Sequence, residues 1–314
     1  MTTSNPLFRR FYRIAGVTIR LESSIPFSDA TFEAKFIPFS VDDPSESAAV
    51  VMRHHFALPD DAVRRLNRRR EVYREPPWAA FRADDAWVYE GILPREAPGP
   101  RGEAQTWCVV VADDEHSRID VYHPDETAFR HGGWHSLSML PTDQIVLARS
   151  LASRQACYLH SSAVILERHG FVFVGHADAG KTTISRQFTA RGAELLCDDR
   201  NIVRRWPDGC RVHGTWSHGD IPEVSSNEAP LKALLFLKQA DHNRLVPLAE
   251  RDAFYRLTSC VVRPLVSADW WEQTLALLER LAREVSCYEL EFDTSGTAPD
   301  LVASLLHRDT PTPT

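Results

Sequence analysis

Lysine is nearly absent from this chain. Only Lys35, Lys181, Lys232 and Lys238 occur among its 36 basic residues, so arginine fills the other 32 positions. Each lysine is therefore informative, because a compact ammonium and a planar guanidinium fork are not interchangeable. Long apolar runs are absent too. No segment approaches the roughly 20 residues needed to cross a bilayer, so no membrane span is expected. The six cysteines (108, 157, 197, 210, 260, 287) show no C-x-x-C spacing, and no signal-like apolar run opens the sequence. Reduced thiols in a cytoplasmic protein are the expectation. Positive charge is not in excess: the formal net charge of −7 argues against a general nucleic-acid binder. No internal repeat is visible. The 314 residues, 43% hydrophobic and 25% charged, suit a soluble globular protein of one large domain or two ordinary ones.

One of the four lysines stands in the most informative stretch. Gly175-His-Ala-Asp-Ala-Gly180-Lys181-Thr182 fits the pattern G-x-x-x-x-G-K-[ST]. Such a loop wraps backbone N–H groups around a polyphosphate, its Lys reaches the outer phosphates, and the last hydroxyl holds Mg²⁺. The following helix points its positive end at the anion. The local context agrees: Phe171-Val-Phe-Val174 reads as a strand and Thr182 to Ala190 as a helix. Gly175, Asp178, Ala179, Gly180, Lys181, Thr182 and Thr183 are the residues expected to hold ATP, with Thr182 also on the metal. The plain alternative is a Gly-rich turn with a surface lysine.

The first 140 residues read as a β-rich domain. Strands are expected over Tyr12–Leu21, Ala30–Ile37, Ala86–Glu90, Thr106–Val111 and Arg118–Tyr122. A helix is expected over Pro59–Glu75, carrying Arg64, Arg65, Arg68, Arg69, Arg70 and Arg74; it is either a solvated face or a dock for an acidic peptide. Pro94 to Glu103 reads as a loop, and Leu137 to Gln155 as a helix joining the halves. A second domain is expected over 141–308, with a disordered Thr/Pro-rich tail over 309–314. In it Cys157–Leu166 and Phe171–Val174 form a hairpin that feeds the loop, unlike the parallel βαβ entry of ordinary nucleotidases. Ala193 to Cys197 reads as a strand ending at Asp198-Asp199, and Asn201–Trp206 with Arg211–Gly214 as a second hairpin. Leu231–Leu237 and Tyr288–Phe292 read as strands, and Trp271–Val285 and Ala298–His307 as helices.

Phosphoryl transfer needs a carboxylate for Mg²⁺, a base or orienter, and positive charge over the moving oxygens. Asp198 and Asp199 are candidates for the first two; solvated turn aspartates are the plain alternative, and local sequence does not say which does which. His160 sits on the strand before the loop, where a satisfied structural histidine is the common case. Arg263, Arg251 or Arg256 could supply the positive charge. His131 and His135 are separated by Gly132-Gly133, and His54-His55 are adjacent, so no zinc site is expected.

Together these residues resemble the HPr kinase/phosphorylase family. The matching elements are His160 in Leu159-His-Ser-Ser-Ala-Val, the loop through Thr183, and Cys197-Asp-Asp-Arg200, with 15 residues from His160 to Gly175 and 23 from Gly175 to Asp198. The resemblance covers roughly 155–300. It implies an α/β phosphate-loop catalytic domain of the phosphoenolpyruvate-carboxykinase-like type, and Mg²⁺ and base chemistry on a serine hydroxyl at Asp198 and Asp199 with His160 beside them. The family's Gly-rich glutamate signature is replaced by His213-Gly-Thr-Trp-Ser-His-Gly219, leaving Glu223 as a replacement metal carboxylate. This departure, and the unlike N-terminal half, look more like the HPr-kinase-related proteins of peptide-modification clusters, among them lasso-peptide kinases. The expectation is an ATP- and Mg²⁺-dependent kinase of a serine in a peptide or small protein. The alternatives are a nucleotide-gated peptide-binding module and a kinase of a small molecule. The HPr enzymes form rings, which raises a homo-oligomer, although no stretch here specifies its interface.

Overall fold

The computed structural model describes residues 7–42, 48–59, 70–83, 85–92, 106–140, 143–264 and 268–307. They form two compact units: the described residues up to Ser150 together with Pro264, and the rest from Leu151 onward. The sequence placed its domain boundary at 140/141, whereas the division falls at 150/151.

The first unit is one large mixed sheet. Strands β1 (Phe8–Ile14), β2 (Val17–Ser23), β3 (Ser40–Val41), β4 (Val50–His55), β5 (Arg70–Glu75), β6 (Trp78–Arg82), β7 (Ala86–Ile92), β8 (Thr106–Asp113) and β9 (Arg118–Tyr122) lie in the order β3-β1-β2-β4-β9-β8-β7-β6-β5. Strands β2, β4 and β9 run parallel, and the other pairs are antiparallel. Helix α1 (Thr127–His131) follows.

Three expectations for this half are corrected. The single strand over Tyr12–Leu21 is a hairpin. Ala15 and Gly16 both take positive φ (47° and 72°), the geometry of a two-residue turn matched to strand twist. Ala30–Ile37 is not a strand but leads into a 3₁₀ turn at Ala34–Phe39. Phe32, Phe36 and Phe39 are buried there, a helical spacing, while Ile37 is 69% exposed. Of the expected helix over Pro59–Glu75, residues 70–75 are strand β5; Arg64, Arg65, Arg68 and Arg69 lie outside the described residues, as do the loop at 94–103 and the tail at 309–314.

Helix α2 (Gln144–Ala152) is shorter than the expected 137–155. Pro141 disfavours a helix running through that point. Buried Asp143 instead accepts the N–H groups of Leu137 (2.8 Å) and Ser138 (2.6 Å), folding the preceding segment back.

Buried histidines give the first unit an acid-sensitive core. His54 Nδ1 lies 2.9 Å from His123 Nε2, and Phe27 and Phe129 pack against the His54 ring. Tyr89 Oη lies 2.7 Å from His116 Nε2. Burial pushes the pKa values of His123 and His116 each down to about 4, and that of His54 well below its usual value. Neutral rings are therefore favoured in the folded chain. Their contribution is full above about pH 6.5 and is lost as pH falls towards 4. Urea unfolding at pH 7.5 and pH 5 should show this loss; equal stability at both would contradict it.

The second unit is a three-layer α/β arrangement. Its strands are β10 (Ala156–Leu166), β11 (His169–Val174), β12 (Glu194–Cys197), β13 (Arg200–Trp206), β14 (Gly209–His213), β15 (Glu228–Gln239), β16 (Arg244–Pro247) and β17 (Ser286–Phe292). Its helices are α3 (Lys181–Thr189), α4 (Glu250–Cys260), α5 (Ala268–Glu284) and α6 (Ala298–Ala303). Strands β11, β15 and β17 are parallel neighbours, so their carboxyl ends share one edge. Gly170 to Val174 and Ala233 to Phe236 are buried throughout, as expected of strands covered on both faces. On one face Ala253 and Leu257 of α4 pack with Leu277 and Leu281 of α5; on the other, Ile184 and Phe188 of α3 pack with Val302 of α6.

Strand β10 serves two sheets. Ala156 to His160 pair with β13, and Ser161 to Leu166 pair with β11. His160 is therefore the last residue before the crossing, next to the register position of Val174, where β11 ends. The expected hairpin entry is the observed one: β10 turns through Glu167-Arg168, both at positive φ, into β11.

Candidate functional site

The segment Gly175–Gly180 links the carboxyl end of β11 to the first residue of α3. Its close folding depends on two glycines. A Cβ on Gly175 would meet that of Ala179 at 2.6 Å, and one on Gly180 would meet the Phe292 ring at 2.6 Å. Gly180 also holds φ +97°, which side-chain-bearing residues rarely adopt. We expect Gly180→Ala to cost about 1–3 kcal/mol of stability. Thermal unfolding reads it; an unchanged melting temperature would refute the fit. Outside the loop, Gln239 at the end of β15 donates its Nε2 to Asp178 O (2.7 Å), and His176 Nε2 lies 3.3 Å from Ser259 Oγ.

Lys181 is 8% exposed, and its Nζ donates to the carbonyls of Gly175 (3.1 Å) and His176 (2.9 Å). Burial draws its pKa down, against the opposing pull of Asp199, Cys260 and Asp198. The cationic head thus sits at the centre of the loop with its charge in demand.

Strand β12 carries the paired aspartates to the same place. Asp198 is 2% exposed; its Oδ1 accepts the N–H of Gly219 (2.6 Å) and its Oδ2 that of Ile221 (2.9 Å). It anchors the segment after β14. A side chain at Gly219 would crowd both Asp198 and Asp199 at 3.2 Å. Asp199 takes side-chain donors instead: His160 Nε2 lies 3.0 Å from its Oδ1, and Arg200 Nη1 donates to its Oδ2 at 2.5 Å. Burial would raise its pKa, but His160, Arg200 and Lys181 outweigh that and hold it below the usual carboxylate range. Behind the pair, Asn201 Nδ2 donates to Ser161 O (2.7 Å) and Cys197 O (3.0 Å), tying β10 to β12.

These groups line one cleft of about 390 Å³. Of the sequence candidates, His160, Asp178, Gly180, Lys181, Thr182, Thr183, Asp198 and Asp199 face it; Gly175 and Ala179 belong to the same loop. Glu223 and Arg263 do not line it, and both are exposed. Val261 bridges Leu159 in antiparallel fashion and Val262 donates to Tyr158 O, so the chain reaches Arg263 moving back along β10, away from His160. Arg256 instead pairs with Glu289 (2.7 Å), and Arg251 lies over the Tyr255 ring.

The cleft also holds residues that the sequence did not single out: Gly219, Asp220 and Gln239. Thr182 Oγ1 lies 3.4 Å from Asp220 Oδ2, which puts a third carboxylate beside the loop's hydroxyl. Gly219 lies close against both aspartates, and no local sequence signal marks Asp220. Among the described residues no three His, Cys, Asp or Glu side chains gather as a metal cage, no helix is long and apolar enough to cross a membrane, and all six cysteines are free thiols.

No family model matches the chain, and no curated protein does. Among solved structures it is similar to the Hpr(Ser) kinase/phosphatase from Coxiella burnetii, at 13% identity and a TM-score of 0.29, over 48% of this chain and 93% of that one.

Proposed function

We propose that the protein is an ATP- and Mg²⁺-dependent kinase that transfers the γ-phosphate to a serine hydroxyl of a peptide or small protein. The observation that carries this reading is the convergence of Lys181, Thr182, Asp198, Asp199, Asp220 and His160 on one cleft at the carboxyl edge of the parallel strands. Open α/β sheets take their ligands at that edge.

The donor set fits a hard cation. Thr182 Oγ1, Asp220 and Asp198 offer oxygen only, and Mg²⁺ takes one or two carboxylates together with phosphate oxygens and water. When bound, Mg²⁺ would neutralise charge on the phosphate oxygens. The chain's own residues supply the rest. The loop amides and Lys181 hold the polyphosphate. Asp199, kept ionised by His160 and Arg200, accepts the proton of the acceptor hydroxyl through a remaining lone pair. The serine oxygen then bonds to the γ-phosphorus as the bond to the β-phosphate oxygen breaks, and ADP leaves. Asp198 keeps the Gly219–Ile221 segment, and Asp220 with it, against the loop.

The test is a transfer assay with ³²P-labelled γ-phosphate over an array of serine peptides. Label should appear on peptide serine in a Mg²⁺-dependent way. Tight ATP binding with no phosphopeptide at saturating acceptor would instead mean a nucleotide-gated binding module.

A further inference from the structure

The first unit carries a second polar site that the kinase reading leaves unused. Parallel pairing sets Arg20, Val51 and Arg118 in one row across β2, β4 and β9, and Glu22, Arg53 and Asp120 in the row two residues on. Residues two apart on a strand share a face, so both rows lie on one side of the sheet. Their neighbours Ile19, Leu21, Val50, Met52, Ile119 and Val121 are buried on the other side. Strand β1 adds Arg9 to the second row, opposite Glu22.

A cleft of about 360 Å³ opens here, and Arg20, Val51, Arg53, Arg118 and Asp120 are among the residues that line it. Its charges do not cancel. Glu22, only 3% exposed at its side chain, serves Arg9 (3.6 Å), Arg20 (3.1 Å) and Arg53 (2.8 Å) together. Asp120 is engaged by His55 at 2.6 Å. The Arg118 guanidinium has no carboxylate partner among the described residues, and it is exposed. Four guanidinium groups thus face two carboxylates. The buried Glu22 also fixes Arg20 and Arg53 in place, so little side-chain freedom remains to be lost on binding.

We propose that this cleft docks a carboxylate-rich peptide segment in extended form. Building on the kinase reading, that segment would belong to the acceptor. Guanidinium forks match carboxylates two-pronged. The rows lie about 6.6 Å apart, the spacing of acidic side chains at i and i+2 of an extended chain. Val51 supplies an apolar floor between Arg20 and Arg118. A single inorganic phosphate cannot reach both rows, whereas acidic side chains at i and i+2 can, which sets the preference.

The test is fluorescence anisotropy of labelled hexaglutamate on the full-length protein at low salt, with hexaglutamine, inorganic phosphate and a single-stranded oligonucleotide as competitors. Hexaglutamate should bind and none of the three should displace it. Arg118→Glu should weaken binding at least tenfold. Val51→Glu, which places a carboxylate in the cleft, should do the same. Saturating ATP with Mg²⁺ should not compete, since the phosphate loop is a separate site. Unchanged affinity in both variants, displacement by ATP, or equal competition by phosphate or the oligonucleotide would each overturn the proposal. No arm needs phosphate transfer, so failure here and failure of the kinase reading remain distinguishable.

Discussion

Replacing Asp199 with Asn should lower γ-phosphate transfer by about 10³-fold, within the range for removing a positioned acid–base group, and leave ATP affinity near that of the parent. The substitution keeps the shape but removes the charge that His160 and Arg200 serve. Asp199 lies 3.0 Å from His160 and 2.5 Å from Arg200, not within the loop that would hold the phosphates. The two effects should therefore separate. Single-turnover transfer measured beside ATP titration checks this. Parent-like transfer in Asp199→Asn would remove Asp199 from the chemistry and leave Asp198 as the other base candidate. Because His160 and Arg200 hold Asp199 below the usual carboxylate range, its protonation should slow transfer only at a pH lower than that at which an ordinary carboxylate titrates.

The second large effect is at Lys181. Lys181→Ala should weaken ATP binding by about tenfold to a hundredfold, the loss of one charge-assisted hydrogen bond at about 1.5–3 kcal/mol. Transfer should fall below detection, because on the proposed mechanism the same ammonium would also stabilise charge as the phosphoryl group moves. Lys181→Arg should not restore it. A planar fork is larger and differently aimed than the ammonium that now reaches the carbonyls of Gly175 and His176. Calorimetric ATP titration of both variants is the check. Parent-like affinity in Lys181→Ala would mean that the lysine serves only to close its own loop.

Local signals carried the centre of the site. The phosphate-loop pattern is contiguous, and its glycines answer to contacts within five residues or to one ring, Phe292. The hairpin from β10 into β11 was legible because an apolar run, a polar turn and a second apolar run follow in order. What was missed depends on distant pairing. Asp220 meets Thr182 only because Asp198 binds the backbone at Gly219 and Ile221, a contact across more than 20 residues. Glu223 was favoured by nearness in sequence, but it does not line the cleft. Arg263 seemed available until the antiparallel bridge of Val261 to Leu159 gave its direction of travel. In the first unit, alternation misread Ala30–Ile37 because Phe32 and Phe36 suit either period when the window is short. The arginine rows of β2, β4 and β9 cannot be seen in sequence at all, since parallel register between distant strands has no local signature.

The central claim is that a polyphosphate nests in the loop at 175–182 with Asp199 facing its outer phosphate. The most direct measurement is a crystal structure with Mg²⁺ and a non-hydrolysable ATP analogue. The account predicts the γ-phosphate within hydrogen-bonding distance of Lys181 Nζ, with Thr182 and an acidic side chain from 198 or 220 on the metal. An analogue bound elsewhere, or phosphates directed away from Asp199, would contradict it.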